Sequence, residues 1–114
     1  LQVQHNHNKL GISSEQGITY IDLDALLYCK SEGPYTHFFL SGGKSMLSSK
    51  SLGEYETLIN RKGFFRVHNS YLINVNHITK FVREDGGYVV MSDNSHITVS
   101  RRRKEDLINL LSGH

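Results

Sequence analysis

The sequence predicts a mainly β domain carrying two modest helices, on three observations. Apolar and aromatic residues fall in short runs, and turn clusters of Gly, Pro, Asn, Asp and Ser recur every ~8–12 residues. Helical spacing of apolar residues is confined to two stretches. With 114 residues, 38% of them hydrophobic and 10 of them glycine, the chain is one domain able to bury a core of its own.

Residues 1–9, LQVQHNHNK, show no useful periodicity and read as a linker or arm in which His5 and His7 are inert. Two β-compatible runs between Lys9 and Asp22 flank Ser13-Ser14-Glu15-Gln16-Gly17, a hairpin pattern. Leu26 to Lys30 and Tyr35 to Ser41 read as strands around the turn Ser31-Glu32-Gly33-Pro34, and Gly42-Gly43 turns the chain into a short strand near Met46. Ser51 with Glu54 is a capping box, and Leu52, Tyr55, Leu58 and Ile59 recur at helical spacing, so a helix is expected over 52–60. Phe64 to Val67 reads as a strand that stops abruptly at His68-Asn69-Ser70. His77 to Glu84 and Tyr88 to Ser92 form a hairpin closed by Asp85-Gly86-Gly87. After Asp93-Asn94-Ser95 comes a strand from His96 to Val99. Ser100 is then the expected N-cap of a last helix whose Leu107, Ile108, Leu110 and Leu111 make one apolar face.

Composition narrows the function. The longest hydrophobic stretch, Ala25 to Cys29, is far shorter than the ~20 residues a spanning helix needs, so no membrane role is expected. No signal peptide is visible, the chain starts at Leu1, and the expectation is a cytoplasmic piece of a longer protein. The lone Cys29 sits in an apolar strand and reads as core. Seven histidines bring no zinc-ligand spacing, so neither metal nor cofactor is expected. Gly42-Gly43-Lys44-Ser45 lacks the first glycine of a phosphate-binding loop and reads as a turn.

Charge is uneven. Residues 1–60 hold four lysines, no arginine and six acids, whereas residues 61–114 hold nine cations, six of them arginine, and five acids. Arginine's planar fork suits phosphate and guanine edges, which points to nucleic acid. Two places concentrate the signal. Asn69, at the polar break, tolerates a left-handed backbone and can bond two edges of adenine. Ser100-Arg101-Arg102-Arg103-Lys104 puts four cations at a helix N-terminus, the end whose dipole disfavours them unless an anion is bound there. The residues leave two other readings open. One is a small ribonuclease-like enzyme using His68, His96, Arg66 and Glu84. The other is a β-rich interaction module whose basic face docks an acidic partner.

The segment Phe64 to Ile78, FFRVHNSYLINVNHI, resembles the strand–turn segment of LytTR DNA-binding domains, commonly F-x-R-V-H-R-S-Y-I-V-N-x-x-x-I. SHITVSR, Ser95 to Arg101, resembles that family's closing strand before a basic helix start. Ile21 to Tyr28 and Glu32 to Tyr35 also fit, so the likeness covers residues 10–111 and leaves 112–114 as a tail. The resemblance implies an elongated, multi-sheet, β-sandwich-like fold with a short internal helix and a short C-terminal one. It also implies a non-enzymatic, sequence-specific double-stranded DNA-binding output domain of a bacterial transcriptional response regulator. Loops at 33–37, 68–70 and 100–103 would face successive grooves. Asn69, Arg102, Tyr35 and His37 would meet bases; Arg66, His68, Ser70, Ser100, Arg101, Arg103, Lys104 and Lys44 would meet the DNA backbone. At 69 the family more often carries arginine. An upstream receiver or sensor region and homodimerisation on paired promoter repeats complete the expectation.

Overall fold

The computed structural model describes residues 8–60 and 63–113. The expected arm therefore lies outside the described residues up to position 7, with His5 and His7. Lys9, at the junction of the expected arm and the expected hairpin, lies in a strand, opposite Asp22 and paired with its carboxylate at 3.1 Å.

The first hairpin is β1 (Lys9–Ser14) and β2 (Gly17–Asp22). A single 3-10 turn, Leu23–Ala25, delivers the chain into β3 (Leu26–Glu32), followed by β4 (Tyr35–Leu40) and β5 (Ser45–Ser48). Helix α1 (Leu52–Ile59) has the predicted capping box: Glu54 N donates to Ser51 Oγ and Ser51 N to Glu54 Oε2, both at 3.3 Å. It ends at Asn60, whose φ of 30° closes the helix in the left-handed region. Then come β6 (Phe64–His68), β7 (Tyr71–Asn74), β8 (Ile78–Val82), β9 (Tyr88–Met91), β10 (His96–Thr98) and α2 (Arg101–Gly113).

Strands β5-β4-β3-β7-β6 form a five-stranded antiparallel sheet, and β10-β9-β8 a three-stranded one beside it. The central sheet is covered on both faces. On one face Cys29, Phe38 and Leu72 meet Leu10 and Ile12 of the hairpin and Leu52, Tyr55 and Ile59 of α1. On the other, Tyr28, Val67 and Ile73 meet Val89, Met91, Ile97, Val99 and Leu107. A bulge between Leu26 and Tyr28 explains why the consecutive Leu27 and Tyr28 share a core while Leu26 joins the opposite one. The layers give an elongated body of 48 × 35 × 25 Å.

Three elements differ from expectation. Strand β7, between β3 and β6 in the sheet, is not among the expected strands; it is four residues long and ends on a buried asparagine, so its local pattern is weak. Glu84 lies in a turn rather than at the end of β8. Helix α2 extends through Gly113 into the expected tail, and its apolar face is only partly used: Leu107 is fully buried, whereas Leu110 and Leu111 are 45% and 37% exposed.

Candidate nucleic-acid interface

The β3–β4 and β6–β7 connections leave the central sheet at the same end. β3 runs into Gly33-Pro34, a two-residue loop whose first position has φ of 60°, the hand that matches strand twist and that glycine adopts without strain. β6 runs into Asn69-Ser70, between the paired His68 and Tyr71. Ser31 N donates to Ser70 O at 2.9 Å and ties the two loops together. Ser100 N donates to Val67 O at 2.8 Å, so α2 begins beside the last residues of β6. Segments 33–37, 68–70 and 100–103, far apart in sequence, thus converge on one end of the sheet.

Within the tip, Asn69 is exposed and its backbone is not left-handed; a bulge between Arg66 and His68 adjusts the turn instead. Ser70 N donates to His68 Nδ1 at 3.1 Å, which places the ring proton of neutral His68 on Nε2. Arg66, expected to meet the DNA backbone, is turned towards the protein. Its Nη1 donates to Glu56 Oε1 at 2.6 Å, its Nε to His68 O at 3.1 Å and its Nη2 to Asn69 O at 2.6 Å, and its side chain is only 19% exposed.

At the first loop Tyr35 stands 46% exposed beside an open groove shared with Ser14 to Gln16 and Leu47. His37 is held by Glu32 Oε2 at 2.9 Å and stacks on Phe39 with ring centroids 4.2 Å apart. Phe39 stacks on Tyr28 at 4.5 Å, Tyr28 meets Tyr71 at 6.2 Å, and Tyr71 meets His68 edge-on at 6.0 Å. A row of rings therefore fixes the first loop relative to the tip. Burial, together with Asp93 and Tyr71, pushes the Tyr28 hydroxyl above its ordinary pKa, against the opposing hydrogen bond it shares with Ser95 Oγ at 3.0 Å.

At the third segment Ser100 occupies the expected position before α2, its carbonyl accepting from Arg103 N at 3.0 Å. Arg101 and Arg102 are exposed; Arg103 and Lys104 are half-buried, and the stem of Lys104 lies against Gly87, where an added Cβ would sit 3.0 Å from its Cε. The first turn of α2 contains no acid. Lys44 is not part of this cluster. It lies in the β4–β5 turn at the opposite end, ~17 Å from Tyr35 along β4. Conversely, Lys30, opposite His37 and Tyr71 in the ladder, and Lys50, whose carbonyl accepts from Thr36 Oγ1 at 2.7 Å, join the cationic end. Sequence reasoning passed over both because each stands alone among neutral neighbours.

The set His68, His96, Arg66 and Glu84 is not assembled as an acid–base site. His96 stacks on Tyr88 at 4.9 Å in the other sheet, while His68 and Arg66 face the partners just given. Cys29 is fully buried, and burial drives its thiol pKa far upward, which keeps it protonated. Among the described residues, no group of three or more His, Cys, Asp or Glu could hold a metal, and no helix is long and apolar enough to cross a membrane.

Over 73 residues the chain is 32% identical to the CO-responsive transcriptional regulator RcoM of Rhodospirillum rubrum, a match covering 63% of this chain and only 30% of that regulator. The fold is similar to that of the LytTr DNA-binding domain of a response regulator from Bacillus cereus, with a TM-score of 0.78 over 92% of this chain and 97% of that one. At 20% identity that likeness is one of fold. The profile of the LytTr DNA-binding domain matches residues 16–112, nearly the whole chain, and the protein belongs to that family.

Proposed function

We propose that the domain binds double-stranded DNA sequence-specifically through the end of the central sheet where the three segments meet, as the output of a transcription regulator. The observation that carries this reading is the convergence itself: an exposed amide tip, an aromatic loop and a helix start bearing four successive cations share one end of the molecule. Cations at a helix N-terminus oppose the dipole by a few tenths to about 1 kcal/mol each. A phosphate at the same place, taking the free N–H groups and the guanidinium donors together, reverses the balance.

In this reading Arg102 and Asn69 meet base edges, with Tyr35 and His37 beside them. His68 through Nε2–H, Ser70, Ser100, Arg101, Arg103 and Lys104 meet phosphate or sugar, and Lys30 and Lys50 add charge. Arg66 and Lys44 leave the contact set, the first because its donors are engaged within the protein and the second because of its position. The small share of RcoM that the chain matches supports a place inside a larger regulator, with a receiver or sensor region upstream. Homodimerisation on paired repeats and action in the cytoplasm belong to the same reading.

The test is selection of a preferred duplex from a randomised pool, followed by affinities of wild type, Arg102→Ala and Asn69→Ala for that duplex and for random duplex. Arg102→Ala is expected to cost about 1–3 kcal/mol on the preferred site and little on random DNA, with a smaller effect for Asn69→Ala. Single-stranded RNA is expected to stay intact throughout. Absence of any duplex preference, or RNA cleavage that disappears in His68→Ala, would overturn the reading.

A further inference from the structure

The motif arginine in FFRVH, Arg66, turns inward, its side chain only 19% exposed. Its three nitrogens reach three different acceptors: the carboxylate of Glu56 on α1, and the main-chain carbonyls of His68 and Asn69. The two carbonyls belong to the turn on which Asn69 is mounted, and that turn lacks the left-handed residue that usually sets a two-residue loop. The guanidinium fork supplies what the turn chemistry does not. Glu56 in turn orients the fork through the strongest kind of polar contact, a charge-assisted bond at 2.6 Å.

We infer that Arg66 is a positioning residue for base reading: with Glu56 it holds the backbone of 68–70 in the one geometry that presents the Asn69 amide to a groove. The inference rests on the DNA reading above and goes beyond it by assigning specificity to a residue that touches no DNA. Lysine at this position keeps the charge but offers one nitrogen that cannot reach three diverging acceptors. Tip disorder then weakens binding to the preferred site and leaves random binding, which depends on phosphates, as it was.

The experiment compares wild type, Arg66→Lys, Arg66→Ala and Glu56→Gln in the full chain, each below its melting temperature, on the selected and random duplexes at several salt concentrations. Arg66→Lys and Arg66→Ala are expected to lose about fivefold to tenfold of the preference, with the salt slope unchanged. Glu56→Gln, which keeps an acceptor for Nη1, retains most of it. Backbone ¹⁵N relaxation at Asn69 and Ser70 in free Arg66→Lys is expected to show new motion that a purely global loss of stability would not confine to the tip. A preserved preference ratio, or a salt slope shallower by about one, overturns the inference and in the second case returns Arg66 to the phosphate contacts. A wild-type protein with no preference at all overturns the DNA reading instead, and the relaxation data still decide whether Arg66 orders the tip.

Discussion

Asn74 offers a quantitative test of how the central sheet is held. Its side chain is 2% exposed; Nδ2 donates to Leu26 O at 3.0 Å and Leu23 O at 3.4 Å, and Oδ1 accepts from Asn76 N at 3.0 Å. Leu23 O also receives Leu26 N, and Asn76 is exposed to water, so the loss falls mainly on the Leu26 carbonyl. Asn74→Ala leaves that buried acceptor short of its donor and opens a small void, at a cost of about 2–3 kcal/mol. For a domain of this size that is roughly 10–20 °C in melting temperature. Asn74→Asp is expected to be worse at pH 7, because a carboxylate then faces carbonyl oxygens. The introduced carboxyl has a raised pKa, so its protonated form stabilises at low pH and the stability is lost as pH rises through that pKa. The gap to Asn74→Ala should therefore close towards pH 4. The chain has six tyrosines and no tryptophan, so urea unfolding followed by tyrosine fluorescence and far-UV circular dichroism reads all three proteins. Equal stability of the two variants at pH 7, or a loss below about 0.5 kcal/mol for Asn74→Ala, would refute the reasoning.

Other expectations follow from the same geometry. If about four phosphates are engaged at the cationic end, raising salt from about 50 to about 200 mM weakens duplex binding about 150-fold, and Arg103→Ala flattens the slope by about one; fluorescence anisotropy titrations check both. Cys29 should resist thiol reagents until the protein unfolds. Because burial raises its folded pKa, stability is complete below the ordinary value of 9.0 and falls above it as only the unfolded thiol ionises. That fall amounts to about 1.4 kcal/mol by about pH 10, and Cys29→Ala abolishes it in denaturant titrations across pH. Tyr55→Phe removes the hydroxyl that bonds Ser48 Oγ and accepts from Ser13 N at 3.1 Å. It should cost about 1–3 kcal/mol and speed amide exchange at Ser13.

What was legible in the sequence was chemistry carried by near neighbours. The Gly33-Pro34 loop, the Ser51–Glu54 capping box and the hairpin from Lys9 to Asp22 are each specified within a few residues and stand where expected. β7 was not legible because Asn74 belongs in a core only when the Leu26 carbonyl lies against it, 48 residues away. The inward turn of Arg66 likewise depends on Glu56, ten residues earlier on a different element. Helical spacing shows which face of α2 is apolar, but not how far the surface beneath it extends, and Leu110 and Leu111 on that face stay largely exposed. The residues themselves single out the 68–70 tip and the 100–103 helix start, and the family resemblance adds the 33–37 loop; that the three share one end follows from pairings such as Ser31 with Ser70 and Ser100 with Val67.

The placement of a separate core on each face of the central sheet has a consequence for how the molecule opens. The helix–hairpin layer and the layer of β8 to β10 with α2 pack on opposite faces of the central strands and meet directly at His77, whose Nε2 lies 2.8 Å from Asp24 O, so each is expected to lift away as its own cooperative unit once that link parts. Amides of β3 and β7, clamped from both sides, are expected to exchange only on global unfolding. Release of the second layer carries the start of α2 away from Val67 yet leaves the two sheet loops joined. Opening of that layer alone is therefore expected to give a partly dismantled state, still folded around α1, in which the cationic helix start is detached from the end of the sheet it completes.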